Sequence, residues 1–165
     1  MNITLIDQHP ILRRGINLLL RDSFPNLKLV QICTLEVFIN LFHEQKPDLI
    51  IVGISEECPE INFDQLRTIR KNHPETGIIF LVGKIHYNTA VAGITEGIKG
   101  YVLKTNELSE VLKCIHTVLN GRRYFCPDIL QLILNECPES LDLSELTGYD
   151  LRHQSEEKNS EIAVT

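Results

Sequence analysis

A chain of 165 residues, 43% of them hydrophobic, is long enough for one domain with a sizeable core plus an appendage. It has no apolar run near the roughly 18 residues of a membrane span, no basic start and apolar middle after Met1-Asn2-Ile3-Thr4 as in a signal peptide, and five scattered cysteines that fit a reducing cytoplasm better than disulfides or a metal. The net charge of −6 sits mostly at the end, with 7 acids against 2 bases from Cys137 to Thr165, and a negative tail repels nucleic-acid phosphates.

Ile3-Thr4-Leu5-Ile6 reads as a first strand, closed by Asp7-Gln8. Pro10 is placed to open a first helix, in which Ile11, Leu12, Ile16, Leu19 and Leu20 recur at three- and four-residue steps. A second strand spans Leu27–Ile32, and Thr34 then caps a helix carrying Leu35, Phe38, Leu41 and Phe42. Leu49–Ile54 reads as a buried central strand. Phe63, Leu66 and Ile69 mark a third helix that ends before Pro74. Gly77–Val82 is a fourth strand, followed by a weakly patterned helix near Asn88 to Glu96, anchored by Val91 and Ile94. Gly100–Leu103 is a fifth strand closed by Lys104. Leu108, Val111, Leu112, Ile115, Val118 and Leu119 define a fifth helix, stopped by Gly121. A sixth helix, near Pro127 to Glu136, is expected to cross away from the domain.

Strands alternating with helices predict βαβ units and a parallel sheet. The expected fold is a flavodoxin-like (CheY-like) doubly wound α/β domain with five parallel strands in the order 2-1-3-4-5. Residues 1–122 form that domain. Residues 123–165 form a linker helix and an acidic tail, polar and poorly periodic, expected to be disordered. In such sheets functional groups gather beyond the carboxyl ends of the strands. Asp7, Gly53, Val82 and Lys104 are expected there.

Three stretches carry a resemblance: Asp7-Gln8-His9-Pro10, Pro47-Asp48-Leu49-Ile50-Ile51-Val52 and Gly100-Tyr101-Val102-Leu103-Lys104. Over roughly residues 1–136 the chain resembles the receiver domain of bacterial response regulators, most closely the NarL/FixJ (LuxR-type) kind. The resemblance implies a phosphoacceptor pocket in which an aspartate attacks phosphorus, acidic oxygens hold Mg²⁺, and a lysine and a hydroxyl hold the product. Carried over, Gly53 stands in place of the nucleophile and has no side chain. Gln8 replaces the second acid and is a weaker, neutral ligand. Val82 stands where the family has Thr or Ser. Asp7 and Lys104 remain. Tyr101 takes the position of the family's switch aromatic. It implies an interaction face built from the fourth and fifth helices and the strand between them, with the first and fifth helices as runner-up.

The expectation is an atypical receiver: not an enzyme, without cofactor or metal, cytoplasmic, signalling through a homodimer or a partner protein. Contact with DNA is expected only if a complete helix-turn-helix domain follows. Leu146-Thr147 and Glu157-Lys158-Asn159-Ser160-Glu161-Ile162-Ala163 resemble the opening of the LuxR-type helix-turn-helix, but no recognition helix comes after them. The alternative is a small flavodoxin-like cofactor binder or enzyme. Its first loop would need Ser, Thr or Gly donors for a flavin phosphate, whereas Asp7-Gln8-His9-Pro10 offers a carboxylate and a proline without N–H. Single residues also have ordinary readings. A glycine is often a turn residue, a histidine before a helix-starting proline is usually structural, and Arg122-Arg123 complements a helix dipole. Cys58, among Glu56, Glu57 and Glu60, is a poor candidate for a reactive thiolate.

Overall fold

The computed structural model describes residues 1–42, 44–56 and 61–136. The elements in chain order are β1 (Asn2–Ile6), α1 (Pro10–Ser23), β2 (Lys28–Ile32), α2 (Leu35–Leu41), β3 (Leu49–Ile54), α3 (Phe63–Asn72), β4 (Gly77–Val82), α4 (Tyr87–Thr95), β5 (Gly100–Leu103), α5 (Leu108–Leu119), β6 (Tyr124–Phe125) and α6 (Pro127–Glu136). Pro10 opens α1, and the Thr34 hydroxyl accepts the Val37 N–H at 3.2 Å to cap α2. Gly121, at φ +77°, ends α5 where a left-handed residue is needed.

The sheet is parallel, in the order β2-β1-β3-β4-β5-β6. The five expected strands are all present in the expected order, but a sixth joins them, so the five-stranded expectation is corrected. Two residues are too few to show a period, which is why Tyr124–Phe125 escaped notice as a strand. They pair with Gly100 and Tyr101 on the outer edge of β5.

Nor does α6 cross away. Ile129 and Ile133, one turn apart, are at most 1% exposed, and α6 packs against α4. Their spacing gives the helix one apolar stripe, and the core at the β5–β6 edge takes it. Ile133→Val should therefore lower folding stability by about 1 kcal/mol, the usual cost of one buried methyl. Denaturant unfolding measures this, and a neutral substitution would detach α6 from the core.

The weak pattern of α4 has a steric cause. It packs through small residues, Ala90 and Gly93, and a side-chain carbon added at Gly93 would come within 2.8 Å of the Phe80 ring. Close approach at these small residues adds to the one large buried anchor that the sequence pattern gave, Ile94. On the opposite layer α1 and α5 are neighbours, as right-handed crossovers require at this strand order. Phe24, just past α1, and His116 of α5 hold their rings 5.0 Å apart. The acidic tail, Cys58 and the helix-turn-helix-like segment lie outside the described residues.

Candidate functional site: a buried carboxylate at the switch point

The strand order reverses between β1 and β3, where doubly wound sheets open a crevice at their carboxyl ends. Ile6 pairs with Val52, so Asp7 arrives beside Gly53. Asp7 is 1% exposed, the one fully buried acid among the described residues. A carbon added at Gly53 would fall 1.7 Å from Asp7 Oδ2 and 2.6 Å from its Cγ. The Asp7 carboxylate thus fills the space where a side chain at position 53 would begin.

Each polar group of Asp7 has a partner. Oδ2 accepts from Lys104 Nζ at 2.9 Å. Oδ1 accepts the His9 N–H at 2.7 Å and lies 2.9 Å from His9 Nδ1. The Arg13 guanidinium donates to the Asp7 carbonyl, and the Asp7 N–H donates to Ile32 O at 3.1 Å. Burial pushes the Asp7 carboxyl up. The His9 N–H, the Lys104 ammonium and the His9 ring outweigh that, and the carboxyl lies below its ordinary value of 3.8. A buried charge survives only when paired and hydrogen-bonded, and this one is.

Of the other residues named from sequence, Gly53 and Gln8 line one cleft, and Lys104 and Val82 meet at the end of β4. Lys104, with its side chain 15% exposed, reaches Asp7 while its N–H donates to Val82 O at 2.7 Å. Val82 is buried at the end of β4. Gln8 is exposed and lines a cleft of about 280 Å³ with Thr34, Asn62 and Gln65, away from Lys104. Tyr101 does not stand on an open face. It is 0% exposed, edge-on to Phe80 at 5.7 Å, and burial raises its phenol well above the ordinary range. β6 covers the free edge of β5, and the Tyr101 carbonyl accepts the Cys126 N–H at 3.0 Å. The expectation that Tyr101 anchors a surface is corrected accordingly.

Two participants were missed. His9, read as structural, is a direct partner of Asp7, and Arg13 fixes the backbone beneath it. His9 is the N-cap residue just before Pro10, and Arg13 lies in the first turn of α1. Glu56 was also passed over. It packs over Gly83, whose missing side chain would otherwise meet Glu56 Cγ at 2.6 Å, and lines a second cleft of about 350 Å³ with Lys104 and Ser55.

Comparison with known proteins decides the family. The family model described as "Response regulator receiver domain" matches residues 3–116. The chain belongs to the response regulator receiver domain family. The receiver is 25% identical to the glycerol metabolism activator of Pseudomonas putida over 130 residues, 78% of this chain but 58% of that protein. It is 28% identical to the nitrate/nitrite response regulator protein homolog of Haemophilus influenzae over 153 residues, 92% of this chain and 72% of that one. Among solved structures, a LuxR-family two-component response regulator from Aurantimonas sp. SI85-9A1 superposes with a TM-score of 0.71 at 28% identity, covering 84% of this receiver and 98% of the other chain. The isolated REC domain of RcsB from Salmonella enterica, at 20% identity and a TM-score of 0.70, shares the fold and covers 81% of this chain and 98% of that one. No helix among the described residues is long and apolar enough to cross a membrane.

Proposed function

We propose that this receiver signals without accepting a phosphoryl group, through protein contacts alone, and that its degenerate pocket is Asp7, Gln8, Gly53, Val82 and Lys104. The observation that carries this reading is the Asp7 carboxylate lying over Gly53 and bonded to Lys104. An aspartyl phosphate needs a nucleophilic carboxylate, a divalent cation, a cation for the product and a hydroxyl. Gly53 supplies no nucleophile. Both oxygens of Asp7 already have donors, Gln8 is neutral and exposed, and Val82 offers a methyl group. Such a donor set does not fit Mg²⁺, which asks for charged oxygens in octahedral geometry.

The pocket is instead self-satisfied. Lys104 spends its ammonium on a carboxylate of the same chain, which joins the loops leading into α1 and α5. A receiver fixed in one state is controlled by what binds it and by its abundance. Action on DNA then depends on a helix-turn-helix domain following in the whole protein.

Incubation with acetyl phosphate and Mg²⁺, read by intact mass, tests this. The expected result is an unchanged mass. A Mg²⁺-dependent gain of one phosphoryl group that disappears in Asp7→Asn would overturn the proposal.

A further inference from the structure

We propose that Arg67 and Arg70 of α3 clamp the carboxyl end of α4, so that α4 opens from its amino end. The carboxyl end is closed first by its own backbone. Gly97, at φ +81°, follows Glu96 in the left-handed conformation that ends a helix. The Gly97 N–H donates to Ile94 O and the Ile98 N–H to Gly93 O, both at 2.9 Å, and Ile98 is fully buried. Two carbonyls that a helix end leaves without partners are thereby satisfied.

α3 supplies the rest. The Arg70 guanidinium donates to Glu96 O. A side-chain carbon at Gly97 would fall inside that guanidinium, so glycine is needed there for room as well as for φ. Arg67 Nε donates to Glu96 Oε1 at 2.9 Å, and a second nitrogen of the same guanidinium donates to Asp64, one turn back on α3. Arg67 is thus steadied by its own helix while it holds Glu96. Arg67 and Arg70, three residues apart, share one face of α3. One takes the side chain of Glu96 and the other its carbonyl.

The amino end has no such fastening. His86 holds the N-cap position without a side-chain cap, and the first turn carries no acid to meet the helix dipole. His86 Nε2 is shut off from solvent and has no hydrogen-bond partner among the described residues, which disfavours the seated arrangement. Between the two ends, Gly93 weakens the helix interior. A helix fastened at one end and unsatisfied at the other opens locally from the second. How far α4 moves is then set by α3 rather than by the pocket. This device goes beyond the phosphate-free reading and stands whether or not the pocket takes a phosphoryl group, because amide exchange is read separately from labelling.

Residue-resolved amide hydrogen exchange of the full chain is the test. In wild type the Ala90 amide, bonded to His86 O, should exchange at least about tenfold faster than the Gly97 and Ile98 amides. Arg70→Met should speed exchange at Gly97 and Ile98 by about tenfold. Glu96→Gln, a milder break that leaves the backbone carbonyl in place, should speed it about threefold. Ala90 should keep its rate in both, because the clamp stays closed when the amino end opens. Lys71→Met, at the exposed residue beside Arg70, should change none of these rates. Equal rates at the two ends of wild-type α4 would overturn the proposal. So would variants that speed Ala90 as much as Gly97 and Ile98, since α4 would then open as a whole, or variants that leave all three unchanged.

Discussion

Gly53→Ala is expected to cost about 3 kcal/mol of folding stability, a large loss for adding one methyl group. The new carbon would lie 1.7 Å from Asp7 Oδ2 and inside contact distance of Asp7 Cγ and Cβ, at 2.6 and 2.9 Å. The carboxylate has to move, and every direction breaks something. Turning away from Gly53 separates it from Lys104, and moving the backbone strains the bonds from His9 and Arg13. Alanine offers Lys104 nothing in return. Gly53→Asp is expected to lose less than Gly53→Ala, because its own carboxylate can take up Lys104 once Asp7 is displaced. Chemical denaturation of the three proteins decides this. Equal stabilities of wild type and Gly53→Ala would mean that Asp7 does not occupy that space.

The second large effect belongs to the Asp7–Lys104 pair. Asp7→Asn and Lys104→Met should each cost about 2 kcal/mol, because each leaves a charge in a mostly buried place without its partner. The double variant should lose less than the sum of the two, since the second substitution removes the orphan left by the first. Strictly additive losses would show that the two side chains are not coupled. The pH dependence has a definite sign. The folded-state Asp7 carboxyl lies below 3.8, so its ionised form favours the native state. Its stabilisation is fully present above about pH 4 and is lost as the pH falls through the folded-state value. The stability gap between wild type and Asp7→Asn should hold steady from neutrality down to that point and close beneath it.

Much of this was legible in the sequence. Long apolar strands and strongly periodic helices were read almost to the residue, because burial on both faces of a parallel sheet leaves an unbroken apolar run, as in Leu49–Ile54. What escaped was short or depended on contacts between elements. Tyr124–Phe125 has no period to show, and α6 looked detachable because its stripe has meaning only beside α4. Tyr101 was misplaced for the same reason. A tyrosine in a four-residue strand reads as a partner-facing anchor until a sixth strand is known to cover the edge. At the pocket, the resemblance implied a gap at Gly53 but not what lies in it. Gly53 reads as an absence, whereas in the fold it is the room that Asp7 occupies.

The most direct measurement is an NMR titration of the Asp7 side-chain carboxyl carbon in wild type and in Lys104→Met. In wild type it should titrate below 3.8, as a buried carboxylate held ionised by His9 and Lys104. In Lys104→Met the same signal should titrate at higher pH. An Asp7 that titrates like an exposed carboxyl, indifferent to Lys104, would contradict the self-occupied pocket.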